Sequence, residues 1–294
     1  MDDRRCALRT GEALAISADA IRRDADGFFL VTGGAPPENE RRGTVAIVNV
    51  RGALQHWSSP CGDSYEGITM RVASAIATDP KPTTIALRVD SPGGLVSGLN
   101  ECVRRLQAMC CAAAIPLVAL VDELAASAAY ALCCACSRVY APSSAVVGSV
   151  GVISTMVSIA ARDEKDGIAF RVITSGKRKA DGHLHVPITE DAVRAETCRN
   201  EQLAEQFFAL AAKARGIPAA KIDALQAGIF LGHDAKAAGL VDEVGSLDAV
   251  LAKLGGAEVE MLGAGPAPNQ GNITDRRAKE ARADVARLLK GARA

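Results

Sequence analysis

The chain has 294 residues, 49% of them hydrophobic and 23% charged, and its 34 Lys and Arg balance 34 Asp and Glu to a formal net charge of +0. That length carries one large domain or two small ones around a real core, and the charge balance excludes a nucleic-acid binder that relies on bulk positive charge. Aromatics at 3% are too few for base-stacking platforms, and the longest apolar run, Ala112 to Val121, is broken by Pro116 and too short to span a bilayer.

The opening Met1-Asp2-Asp3-Arg4-Arg5-Cys6 is followed by no apolar stretch, so no signal peptide is expected. Nine cysteines without a secretory signal read as small buried apolar residues in a reducing cytoplasm. Cys133 and Cys136 stand three apart with no matching second pair, so no metal site is expected, and no cofactor.

Residues 1–43 read as an N-terminal arm, with a short helix, then Gly33-Gly34-Ala35-Pro36-Pro37 and a polar run. The folded domain, 44–256, opens on the β-branched strand Thr44 to Val50, ended by Arg51-Gly52. A loop with His56, Trp57 and Tyr65 follows. Ile68, Val72 and Ile76 recur at helical spacing, which predicts a helix over 66–78. Thr84 to Val89 is the second strand, Asp90-Ser91-Pro92-Gly93-Gly94 a turn, and Leu99, Val103, Leu106 and Cys110 mark the next helix. Leu117 to Val121 is the third strand, and an alanine- and cysteine-rich helix runs from Ala128 to Cys136. Further strands are expected at Arg138 to Ala141, Val146 to Ile153 and Ile168 to Ile173. A long helix with an N-cap at Thr189 reaches Arg215, and short helices follow near 219–226, 234–238 and 247–254. Residues 257–294 read as a Gly/Pro/Asn-rich linker and a mobile basic tail. Strands alternating with helices predict a mostly parallel sheet flanked by helices, with ligands at the strand ends.

Ser127 falls where a buried strand hands over to a helix, among small neighbours. An exposed nucleophile beside free helix amides would stand at such a junction, and so would a plain serine N-cap. A serine nucleophile needs a base. His56, His183, His185 and His233 are the four histidines, and none follows Ser127 closely. A desolvated, neutral lysine can replace histidine. Lys177 and Lys179 lie in Thr174-Ser175-Gly176-Lys177-Arg178-Lys179-Ala180-Asp181-Gly182, after an apolar stretch, and spacing alone does not choose between them. The amides of Gly93-Gly94 could donate to a developing oxyanion. Gly148-Ser149-Val150-Gly151-Val152 reads as close backbone packing near the site.

Taken in order, Arg51-Gly52, Tyr65-Glu66-Gly67-Ile68, Asp90 to Gly94, Ala126-Ser127-Ala128-Ala129-Tyr130, Gly148 to Val152, Ser175 to Gly182 and Ala238-Gly239-Leu240-Val241-Asp242 resemble the signal peptide peptidase A family of serine peptidases, and within it the phage-type capsid (head maturation) proteases. The resemblance runs from about Val45 to Leu254. It implies an α/β ClpP/crotonase-like fold of repeated β-β-α units and a Ser-Lys dyad. The serine of the family's Ala-Ser-x-x-Tyr motif falls on Ser127, and the lysine of its Ser-Gly-x-x-Lys motif falls on Lys179. The oxyanion donors implied are the backbone amides of Gly94 and Ala128. Many cellular members have glycines at the positions of Ala128 and Ala129; the alanines fit the phage-type branch. Implied partners are protein substrates (capsid, portal or scaffold proteins) and further copies of the chain, in the cytoplasm or inside an assembling procapsid.

Three other readings stand beside this one. A cellular signal-peptide-peptidase-like protease would use the same dyad. A crotonase-type acyl-CoA enzyme would share the fold and use a carboxylate, for which Glu123 is the candidate. An inactive assembly protein would need neither Ser127 nor Lys179.

Overall fold

The computed structural model describes residues 39–57 and 62–255, together with four short strands within the first 31 residues. Those four are β1 (Cys6–Leu8), β2 (Leu14–Ile16), β3 (Arg22–Arg23) and β4 (Phe29–Val31). The short helix expected in the N-terminal arm is not among the described residues, and the 257–294 tail lies outside them.

The core begins with β5 (Glu40–Arg42) and β6 (Val45–Arg51), followed by β7 (Ala53–Gln55), β8 (Gly62–Ser64) and α1 (Tyr65–Ile76). Then come β9 (Thr84–Ser91), β10 (Gly93–Leu95) and α2 (Leu99–Ala113). β11 (Leu117–Ala126) leads to α3 (Ala128–Cys133), β12 (Val139–Ala141) and β13 (Val146–Gly148). The remainder is helical apart from two short strands: α4 (Ala160–Lys165), α5 (Glu190–Arg215), α6 (Ala219–Asp223), β14 (Ile229–Leu231), α7 (Gly232–Ala237), β15 (Glu243–Val244) and α8 (Leu247–Lys253). The expected repeated β-β-α units with a mostly parallel sheet and flanking helices are present.

The main sheet runs β14-β13-β11-β9-β6-β5, with β12 also on β11 and β15 on β12. β6, β9 and β11 pair in parallel. Their residues alternate between two apolar faces, as a period of two requires. Ala46, Val48 and Val50 join the main core with residues of α1, α2 and α3, while Val45 and Ile47 join a smaller cluster under α8. Burial on both faces is why these strands read as near-continuous apolar runs. The α8 face turns polar toward the strand ends. There Arg88 Nε binds Asp122 Oδ2 at 2.9 Å, and Arg51 approaches the same oxygen at 3.5 Å.

Two strands leave this sheet to build a second one. Gly52 (φ 70°) turns β6 into β7, and Gly93 (φ 102°) turns β9 into β10. The second sheet has the order β2-β10-β7-β8. Its tight pairing depends on glycine: a Cβ at Gly94 would lie 1.9 Å from the Leu54 carbonyl oxygen. Sequence reading made 52–64 a loop and 90–94 a turn. The three-residue strands there have no periodicity of their own and owe their state to one another.

β11 has two neighbours on one edge. Ala119 and Leu120 pair with β12, while Leu124, Ala125 and Ala126 pair with β13. Its register against β9 shifts between Val121 and Ala125, a local irregularity of the kind that re-aims a strand beside a site. α3 follows, with every residue buried; its alanines and cysteine are small enough to lie against β9, β10 and α2.

The chain from 151 to 190 behaves differently. Asp163 is its one buried residue, and Ile168, Phe170, Ile173, Leu184 and Ile188 are exposed. The apolar run Ile168 to Ile173, expected as a strand, pairs with nothing and forms none; Ile173 is 88% exposed. The arm is closed on itself by Ile159 N–H to Leu184 O at 2.8 Å and by the pair His185 Nδ1 and Asp163 Oδ2 at 2.8 Å, with Phe170 stacked on the imidazole. α5 buries only Ala192 in its first half, and Phe207 and Ala211 seat its second half on the core.

Candidate active site

Ser127 sits between β11 and α3 with φ 55° and ψ −121°, a backbone conformation that a residue with a Cβ adopts only under strain of about 1–3 kcal/mol. Neighbours hold it there. Its N–H donates to Gly148 O at 2.8 Å, and its C=O accepts from Ala131 N–H at 3.0 Å. The seat is fixed in turn by Ser149 N–H to Gly228 O at 2.8 Å. This is the close backbone packing expected of Gly148 to Val152. The Ser149 side chain makes no hydrogen bond to a described residue.

The serine is not an N-cap. Its side chain makes no capping hydrogen bond to α3. Its Oγ instead points to Gly151 O across 3.5 Å, at the long limit for a hydroxyl donor. The residue is only 1% exposed. A hydroxyl presented on a strained strand-to-helix turn, uncommitted to the helix behind it, is the geometry in which a serine can attack.

The two amides expected as oxyanion donors lie in α3 and β10, which pack on one another. Ala128 N–H opens α3, so no carbonyl of that helix accepts it. Gly94 lies in β10, which packs against α3. The preceding amide, Gly93 N–H, is already taken by Ser91 Oγ at 3.1 Å. Gly94 is buried with no room for a side chain.

Tyr130, the last residue of the Ala-Ser-x-x-Tyr stretch, does not face the serine. Its hydroxyl donates to Leu240 O at 2.9 Å. The same loop is clamped by Arg215, which binds Gly239 O through Nε at 2.9 Å and Asp242 Oδ2 through Nη1 at 2.8 Å. Asp242 Oδ2 also accepts Val139 N–H at 2.7 Å. Burial pushes the Asp242 carboxyl up, but the Arg215 hydrogen bond, the Val139 amide and the nearby guanidinium charges outweigh it and hold it below the usual carboxylate range. Tyr130 and Asp242 thus fix the frame of the site. Both motifs are visible in the sequence, but nothing in their residues separates frame from chemistry.

Lys179 is exposed, as is Lys177, both on the 151–190 arm. A lysine held against the core by a strand end is therefore not found, because the strand expected before it does not form. The Lys179 side chain has no hydrogen bond or ion pair with any described residue; its backbone N–H bonds Gly176 O at 3.2 Å. The structure thus brings Ser127, Ala128 and β10 together and leaves Lys179 apart. Glu123 is exposed on β11.

Among the described residues no group of three or more His, Cys, Asp or Glu could hold a metal ion, and no helix is long and apolar enough to cross a membrane.

The chain is similar to capsid assembly protease C of Escherichia phage lambda, at 31% identity over 211 residues, covering 69% of this chain and 46% of that protein. It is 28% identical over 212 residues to Protease 4 of Salmonella typhi, covering 72% of this chain and 34% of that protein. It therefore spans about half the length of the phage relative and about a third of the bacterial one. A solved ClpP1 mutant from Listeria monocytogenes superposes with a TM-score of 0.42 at 14% identity, covering 68% of this chain and 91% of the other. The family model Peptidase family S49 matches residues 111–261, a segment holding both Ser127 and Lys179. The chain belongs to Peptidase family S49.

Proposed function

We propose that this chain hydrolyses peptide bonds through an acyl-enzyme on Ser127. Lys179, neutral when desolvated, takes the proton from Ser127 Oγ as that oxygen attacks the substrate carbonyl. The amides of Gly94 and Ala128 hold the oxyanion. The lysine returns the proton to the leaving amine, and water then releases the acyl group. The observation that carries this reading is the torsion of Ser127 together with its missing cap bond. A structural N-cap would have extended torsions and an occupied hydroxyl, as Thr189 shows at the start of α5.

The reading requires the arm to bring Lys179 to a serine. The arm has the means: Ile168, Phe170, Ile173 and Ile188 are exposed apolar side chains that association with another copy would cover. Such association would also desolvate the lysine, which the chemistry demands. By similarity to the phage relative, the substrates are capsid-associated proteins of the assembly in which the chain is made. A cellular role on other protein substrates is the second reading, favoured by the similarity to Protease 4.

A fluorophosphonate probe that labels Ser127 in the assembled protein, and fails on Ser127→Ala, tests the nucleophile. Lys179→Ala should abolish peptide hydrolysis and Lys177→Ala should not; the reverse would move the base to Lys177. Mixing inactive Ser127→Ala and Lys179→Ala chains restores activity if one chain's lysine serves another's serine.

A further inference from the structure

β2 lies antiparallel on β10, with Ile16 opposite Gly93, Ala15 opposite Gly94 and Leu14 opposite Leu95. The other edge of β10 is taken by β7, through Gly94 and Leu54. The N-terminal segment therefore covers the outer edge of the strand that carries the proposed oxyanion donor. From this placement we propose that residues 14–16 are a built-in occupant of the peptide-binding edge: they hold the position that a substrate backbone takes when it is presented to Ser127. The inference rests on reading Gly94 and Ala128 as oxyanion donors.

A peptide bound beside a buried serine must satisfy its own backbone N–H and C=O groups, and adding to a strand edge does this with the fewest other requirements. β11, the strand that ends at Ser127, has no edge to offer. β9 covers one side, and β12 and β13 cover the other. β10 packs against the helix that Ser127 opens, and its outer edge is where β2 lies. A substrate strand and β2 thus compete for the same backbone groups.

The occupant is suited to displacement. It pairs over three residues and so contributes few ladder bonds, far fewer than the seven register pairs joining β6 to β9. Its central residue, Ala15, is small, like the residues that surround Ser127. The consequence is self-restraint: a substrate must first displace the chain's own segment, and its apparent affinity falls by the fraction of molecules with the edge open.

The test uses the full chain with Ala15→Pro and Ile16→Pro together. Successive residues of a strand direct their N–H groups to opposite sides, so the pair removes at least one donor facing β10, whichever of the two residues supplies it. On a fluorogenic peptide the double variant should show a KM lower by about threefold or more, with kcat little changed. A synthetic peptide of residues 10–20 should inhibit it competitively, and more strongly than it inhibits the unmodified chain. An unchanged or higher KM, or a peptide that does not compete, would overturn the proposal. A second measurement needs no variant. Hydrogen exchange on the natural sequence, before and after a peptidyl fluorophosphonate is attached to Ser127, should show residues 14–16 losing protection while 93–95 keep theirs. Residues 14–16 that stay protected with the peptide bound would overturn it equally. Ser127→Ala separates the two readings: if hydrolysis survives that change, the nucleophile assignment fails, whereas if it is lost and the proline pair leaves KM unmoved, only the occupancy fails.

Discussion

The hydroxyl of Tyr130 donates to the carbonyl of Leu240 at 2.9 Å, tying the helix behind Ser127 to a loop 110 positions later in the chain. Both residues are fully buried. Tyr130→Phe removes the donor and leaves the Leu240 oxygen unpaired, which should cost about 1–3 kcal/mol of stability. Chemical denaturation of the variant beside the natural chain measures this, and a loss near zero would show that water or another donor replaces the hydroxyl.

The torsions of Ser127 lead to a difference between two of its variants. Ser127→Ala keeps the Cβ and so keeps the strain, whereas Ser127→Gly removes it. The gain of about 1–3 kcal/mol is offset by about 0.4–1 kcal/mol from the freer unfolded chain. Ser127→Gly should therefore unfold at higher denaturant than Ser127→Ala, by roughly 1 kcal/mol. Equal stabilities would mean that the turn is unstrained.

Asp242 makes acid stability depend on one ion pair. Its carboxyl is held below the ordinary value of 3.8 in the folded chain, so the unfolded chain takes up the proton first as pH falls. The stabilisation from Arg215 and Val139 is present above the unfolded value and is lost as pH falls through the folded one. Asp242→Asn should be less stable at neutral pH and should lose less on acidification, so the two denaturation curves converge once the pH has fallen through the lowered value of the folded chain.

Among the described residues the cysteines divide by burial. Desolvation pushes Cys102 and Cys110 up to about 11 and Cys134 up to about 12, and raises Cys133 and Cys136 as well. Cys111 and Cys198 are exposed. Brief alkylation of the native protein near about pH 8 should therefore modify Cys111 and Cys198 and spare Cys102, Cys110, Cys133, Cys134 and Cys136 until the chain is unfolded, because the thiolate is the reactive form. Peptide mapping by mass spectrometry reads this directly.

Much of the architecture was legible where a segment's pattern is its own. β6, β9 and the first half of β11 are buried on both faces and show it in their residues, and α1, α2 and α5 carry helical spacing, α5 with a clear cap at Thr189. β7, β8, β10, β14 and β15 were not legible, since strands of two or three residues are decided by partners distant in sequence. The run Ile168 to Ile173 misled for the opposite reason: its apolar residues are exposed in the single chain, with no strand to pair. Ser127 could be found from the sequence as a junction residue. That it is not a cap rests on its torsions, which no local pattern encodes. The choice of Lys179 over Lys177 came from the family resemblance, and both side chains lie exposed on the arm.

The two neighbours of β11 also set an order of assembly during synthesis. The half that ends at Ser127 leans on β13, β13 leans on β14, and the serine's own amide is anchored to Gly148 while Ser149 is anchored to Gly228. A nascent chain that has emerged only as far as α3 contains Ser127 but not its seat. Contacts of such long sequence separation form late, so Ser127 takes up its strained torsions only after residue 231 has left the ribosome. Emergence of β14, and not of α3, marks the earliest moment at which this turn can be complete.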